Sequence, residues 1–240
     1  MNKINESNWY KIWNKKKLDL LEIKNLEELI KINGFDTGVG GYSVQEWLIM
    51  INSFIKIMNL KSNSDIYEIG CGAGTFLYSI KQIIDVNCYG IDYSKSLINI
   101  AKNLLKDSEF IVSEAKLMPS FQKQFDIIFA HSVFHYFPNE NYALEVIKKA
   151  YKLLKPGGGF CLLDLNDKNH EKESLNMRMN SFSNDQEYKK FYKGLDHLFI
   201  CKKKLELNLI KLGFKDIVFF DMGTKGNLIR KYRFNVRAKK

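Results

Sequence analysis

The segment that most restricts how this chain can fold is DIYEIGCGAGT, residues 65–75. Five residues with a strand pattern run without a loop into Gly70, Gly72 and Gly74, and a helical pattern follows at once. Glycines at such a turn let the backbone bend tightly and meet a ligand with no Cβ in the way. A doubly wound sheet places this turn at the carboxyl ends of its strands, where its crevice opens. The rest of the chain keeps the same alternation. Apolar runs at 65–69, 87–91, 109–112, 125–129, 158–164, 216–221 and 229–237 read as strands, with helical patterns near 75–84, 95–106, 140–154 and 200–212. The connection MGTKGNL between the last two strands is too short for a helical crossover, so that pair should be antiparallel. The expected fold is α/β: a doubly wound Rossmann-like seven-stranded sheet with a C-terminal antiparallel strand pair and N-terminal helices.

Ahead of the sheet, Trp9, Ile12, Trp13, Leu18, Leu21, Leu26, Leu29 and Ile30 form buried stripes at helical spacing, and 44–60 reads as a further helix. Residues 1–60 are therefore expected as a helical cap on a core domain of 61–240. Trp9 and Trp13, one turn apart, should dock a helix on that core. The glycine-rich stretch 34–42 suits a lid as well as a plain connector. Residues 166–198 carry Phe182, Tyr188, Phe191 and Tyr192, which argues for a folded insertion, expected as a substrate lid.

Spacing separates this glycine turn from its dinucleotide counterpart. That turn wants glycine at the sixth position of GxGxxG, where this chain has Thr75. Here the third glycine comes one residue early, Glu68 precedes the first, and Asp92 ends the second strand, where an acid can reach both ribose hydroxyls. From about residue 65 onward the chain resembles the class I S-adenosylmethionine-dependent methyltransferases. EIGCGAGT looks like the family's E-x-G-x-G-x-G motif, GIDYS like its ribose-binding strand end, and SEAKLMPS like the segment that packs on adenine. FDIIFAHSVFHYF, LLKPGGGF and FICKKKLELNLIKLGFKDI resemble the fourth strand, the turn before the fifth, and the helix before the closing pair. The resemblance implies S-adenosyl-L-methionine as cofactor. It assigns the contacts to Glu68, Gly70, Cys71, Gly72, Gly74, Asp92, Tyr93, Glu114, Ala115 and His131, with Glu114 standing where Asp is commoner.

A sulfonium methyl is already electrophilic, so such an enzyme mainly holds a nucleophile in line. A base is needed only where the acceptor must lose a proton. His131 and His135, at i and i+4 after the fourth strand, are the candidates. The same pair with Asp164 would suggest a metal, but His131 falls where metal-dependent relatives carry a carboxylate and Leu165 follows Asp164, so none is expected.

The expected reaction is methyl transfer to an O or N atom of a small molecule, with RNA or protein methylation as the alternative. The latter rests on charge: 37 Lys and Arg against 27 Asp and Glu leave a formal +10. Lys225, Arg230, Lys231, Arg233, Arg237, Lys239 and Lys240 stand in 225–240 with no acid, so most of the excess belongs to the last strand and tail. The segment after the fourth strand also lacks the Asn/Asp-Pro-Pro-aromatic motif of base-amine methylases, so a nucleic-acid partner is not expected. Four scattered cysteines without CxxC, no apolar leader and no ~20-residue apolar run point to a cytoplasmic protein without membrane insertion.

Overall fold

The computed structural model describes residues 8–15, 25–35, 41–222 and 228–240. Seven strands form one sheet: β1 (Asp65–Ile69), β2 (Asn87–Asp92), β3 (Glu109–Val112), β4 (Phe125–His131), β5 (Leu154–Asn166), β6 (Lys215–Phe220) and β7 (Arg233–Lys239). Their order is β3-β2-β1-β4-β5-β7-β6. The first five pair in parallel, and β7 runs antiparallel between β5 and β6. The order reverses between β1 and β4, and a doubly wound sheet opens its ligand crevice at such a switch. The expected fold class is the one observed.

Helices α4 (Thr75–Lys81), α5 (Lys95–Leu104), α6 (Glu140–Leu153) and α9 (Lys202–Leu212) follow the expected patterns. Two strand starts differ by more than one residue. β5 begins at Leu154, before the glycines, because Leu154 pairs with Phe125 and the ladder then shifts past Lys155 and Pro156. β7 begins only at Arg233, because Leu228–Tyr232 is wound as a 3-10 turn. Most of the MGTKGNL connection (223–227), Leu18 and Leu21, and 36–40 of the glycine stretch lie outside the described residues.

Before the sheet come α1 (Asn8–Lys15), α2 (Leu26–Ile32) and α3 (Val44–Ile57). A capping box starts α3: Ser43 Oγ accepts from Glu46 N while the Glu46 carboxylate takes the Ser43 N–H. Its inner face, Trp47, Met50, Ile51 and Phe54, is buried. Trp47 Nε1 donates to Ser79 Oγ at 2.8 Å, and Ser79 donates in turn to Thr75 O. Phe54 meets Phe76 at 5.1 Å and Phe129 at 4.8 Å between ring centres. α3 thus shares the core under β1 and β4 and is not a detachable layer. The 166–198 stretch holds α7 (Glu171–Met179) and α8 (Asp185–Phe191). Among the described residues no helix is long and apolar enough to cross a membrane.

Truncating Phe54 to alanine leaves a cavity between two aromatic rings, so Phe54→Ala should cost about 3–5 kcal/mol in urea unfolding while keeping one cooperative transition. A loss under about 1 kcal/mol, or a separate early transition, would mean that α3 is not part of the core.

Candidate active site

The turn after β1 is held from two sides. Gly70 and Gly72 have φ of 71° and 54°, in the left-handed region. A Cβ on Gly72 would stand 2.5 Å from Asn33 Oδ1, the atom that accepts the Ala73 N–H at 2.8 Å. From the other side the Asp92 carboxylate accepts Gly72 N–H at 3.0 Å through Oδ2 and Ser94 N–H at 2.7 Å through Oδ1. Burial still lifts its pKa to about 6, against those two bonds.

Above the turn lies a cavity that opens to solvent. Glu68, Gly70, Gly72 and Asp92 line it from the sheet, Ser113 and Ala115 from the segment after β3, and Trp9, Trp13, Phe35 and Tyr136 from above. Glu68 is 3% exposed and its Oε2 has no hydrogen-bond partner. Burial, then the neighbouring Asp92 charge, pushes its pKa well up. An orphaned carboxylate oxygen, a turn with no room for side chains, and a second carboxylate one strand away fit an adenosine-bearing ligand with N–H and O–H donors.

His131, at the end of β4, stacks on Phe35 with ring centres 5.0 Å apart and sits among Tyr42, Trp47 and Phe76. It lines the cavity, its Nε2 is buried without a partner, and burial lowers its pKa to about 4. Ser132, just past β4, and Asp164, at the register shift inside β5, both lie in the left-handed region with φ of 56° and 64° and are locked together: Ser132 Oγ and Arg233 both donate to Asp164 Oδ2. Burial alone would raise the Asp164 pKa, but the charges of Arg233 and His131 hold it below the usual range. Such strain persists only where surrounding bonds over-determine it, and it clusters at functional edges.

Of the residues expected at the cofactor, Glu68, Gly70, Gly72, Asp92, Tyr93, Ala115 and His131 line one space. Cys71, Gly74 and Glu114 are not among its walls. The Cys71 thiol points under β2, 2.8 Å from where a Cβ on Gly90 would lie, and Gly74 caps α4 against Ala101. His135 is not in the wall either; it is 3% exposed, beside Tyr136 and His197, with its Nδ1 unpartnered. Trp9 and Trp13 do dock α1, through Trp9 Nε1 to Asp196 O and ring contacts to Tyr136, and they wall the cavity as well. Asn33, Phe35, Tyr136 and Tyr142 were missed. A signal existed only for Asn33, an asparagine before glycine at a helix end.

A family model described as a methyltransferase domain matches residues 60–215. Over 98 residues the chain is 34% identical to the Probable tRNA methyltransferase 9B of Homo sapiens, a stretch covering 41% of this chain and 20% of that protein. It is 25% identical over 204 residues to the phosphoethanolamine N-methyltransferase of Plasmodium falciparum (isolate 3D7), covering 84% of this chain and 72% of that one. The fold matches the magnesium protoporphyrin IX methyltransferase from Synechocystis PCC 6803 crystallised with SAM, at a TM-score of 0.58 and 13% identity, over 98% of this chain and 93% of that one.

Asp92 yields a pH prediction. Its pKa is raised from 3.8 to about 6 in the folded chain, so the fold binds this proton more tightly than the unfolded chain does. That contribution to stability is complete below about pH 4 and is lost as pH rises through about 6. Ribose hydroxyls donate best to the ionised carboxylate, so affinity for S-adenosylhomocysteine should rise between pH 5 and 7.5, the opposite trend. Calorimetric titration should also find binding at least tenfold weaker in Asp92→Asn at pH 7.5, with a flattened pH profile. A flat profile in the unmutated protein would remove Asp92 as the ribose ligand.

Proposed function

Because the chain belongs to the methyltransferase-domain family, we propose that it transfers the methyl group of S-adenosylmethionine to a nitrogen or oxygen of a small molecule: a sugar, a phenolic or an amine. One juxtaposition carries this reading: the glycine turn, Asp92 and orphaned Glu68 open onto the same space as His131, under a roof of aromatic side chains. The bound cofactor supplies an electrophilic sulfonium methyl. The protein's own groups do the rest. Asp92 accepts from the ribose hydroxyls, and the turn leaves room for the amino-acid tail beside Glu68. Trp9, Trp13, Phe35 and Tyr136 exclude water and confine the acceptor, the positioning effect that is worth about 7–11 kcal/mol when reactants are well aligned.

His131 is neutral at pH 7, since burial holds its pKa at about 4. A poor proton acceptor, it serves better by taking a hydrogen bond from the acceptor's N–H or O–H and aiming the lone pair at the methyl. Helix α1 and the 166–198 insertion, joined by the bond from Trp9 to Asp196, close over the acceptor as a lid. The identity with a tRNA methyltransferase favours RNA as the second reading.

Incubating the protein with cofactor labelled in its methyl carbon and a cell extract separates the two. Label is expected in the metabolite fraction, absent with Asp92→Ala, and at least tenfold slower to appear with His131→Asn when the cofactor is saturating. Label recovered in RNA would overturn the small-molecule reading. An unchanged rate in His131→Asn would leave that ring as packing.

A further inference from the structure

We propose that Arg178, backed by Arg233, is the binding site for an oxyanion carried by the methyl acceptor, a phosphate monoester or a carboxylate. The proposal rests on the small-molecule reading above and narrows its acceptor class.

Arg178 lies on α7 and is 4% exposed. Among the described residues its guanidinium meets only neutral partners: Nη1 is 2.9 Å from His197 Nδ1, Nη2 donates to Asn166 Oδ1 at 3.3 Å, and the group lies over the Phe199 ring. Burial, then the Arg178 charge, keeps the His197 pKa well below the ordinary range, so its imidazole is neutral and accepts through Nδ1. The nearby carboxylates are committed elsewhere. Asp164 binds Arg233 and Ser132, while Asp167 binds Lys202 and the Asn169 N–H.

Arg233 stands close enough to Arg178 for the two charges to repel, and its Nε is buried without a partner. Of the two guanidinium groups only Arg233 is paired with a carboxylate, Asp164. The Ser174 hydroxyl, one turn before Arg178 and on the same face of α7, is fully buried and also unpartnered. Buried charges are normally paired, because a lone one forfeits its hydration. An anion supplied by a ligand would restore the balance, and the guanidinium fork matches the spacing of phosphate and carboxylate oxygens.

The place suits an acceptor. His197 packs against Trp9 at 4.7 Å and Tyr136 at 5.7 Å between ring centres, and both of those rings wall the cofactor cavity. One side chain thus separates Arg178 from the space where transfer occurs.

The test uses the full chain saturated with S-adenosylhomocysteine and titrated by calorimetry with inorganic phosphate, acetate or a short oligoribonucleotide. One of the two small anions should bind, showing which group the acceptor carries. Its affinity should fall at least tenfold in Arg178→Gln and recover in part in Arg178→Lys, with S-adenosylhomocysteine affinity within twofold throughout. Should Arg178→Gln fail to fold, Asn166→Asp sets a carboxylate against the same guanidinium and should abolish anion binding while raising the melting temperature. Normal cofactor binding with no anion bound, or with anion affinity unchanged in the variants, would overturn the site and leave Arg178 as a clamp, with the methyltransferase reading intact. Oligoribonucleotide binding tighter than phosphate and lost in Arg178→Gln would overturn it too. Failure to bind S-adenosylhomocysteine would instead count against the proposed function.

Discussion

Everything at the working edge of the sheet hangs on the Asp92 carboxylate. It gathers the Gly72 and Ser94 N–H groups, so the loops leaving β1 and β2 share one acceptor. Neither loop could hold its shape alone, because a turn through left-handed glycines has lost the ladder that orders a strand. The carboxylate supplies that order at the cost of being buried, which is why its proton is held so tightly. Asn33 repeats the device from the opposite side and ties α2 to the same turn. The binding surface is thus made of backbone, with side chains serving mainly to fix it.

A second layer follows from the aromatic residues ahead of the sheet. Phe35, Tyr42 and Trp47 box the His131 ring and keep it neutral by excluding water. The N-terminal elements therefore both cap the core and set the electrostatic state of a group at the end of β4. On the far side of that ring, Asp164 bridges β4 and β7 by receiving bonds from Ser132 and Arg233. The antiparallel strand, which reads as a mere closing piece, thereby sends its first residue back to the C-terminal edge of the parallel strands. The C-terminal positive charge is partly structural for the same reason.

Much of this was legible in the residues. The order of strands and helices followed from periodicity, and the turn followed from glycine spacing, since both are local properties of a few consecutive side chains. Glu68, Gly70, Gly72, Asp92, Tyr93 and Ala115 were named through the family motifs they resemble, and all six line the one cavity. His135 shows the limit. Its i, i+4 relation to His131 presumed a continuous helix, but only a 3-10 turn, Phe134–Tyr136, forms there, and the shorter repeat sends the two rings to different surroundings. Arg178 carried no sequence signal, because an arginine in a polar insertion looks the same whether it is solvated or buried.

The sequence by itself determined the fold class and the cofactor turn, because the 2 and 3.6 periodicities and the glycine offsets act over a few residues. Only the tertiary structure decided which aromatic groups close the cavity, which histidine faces it, and that Arg178 is buried beside Arg233. Those outcomes depend on segments such as residues 9, 33, 136 and 197 meeting across the chain, and on a burial that changes the charge state of whatever it encloses.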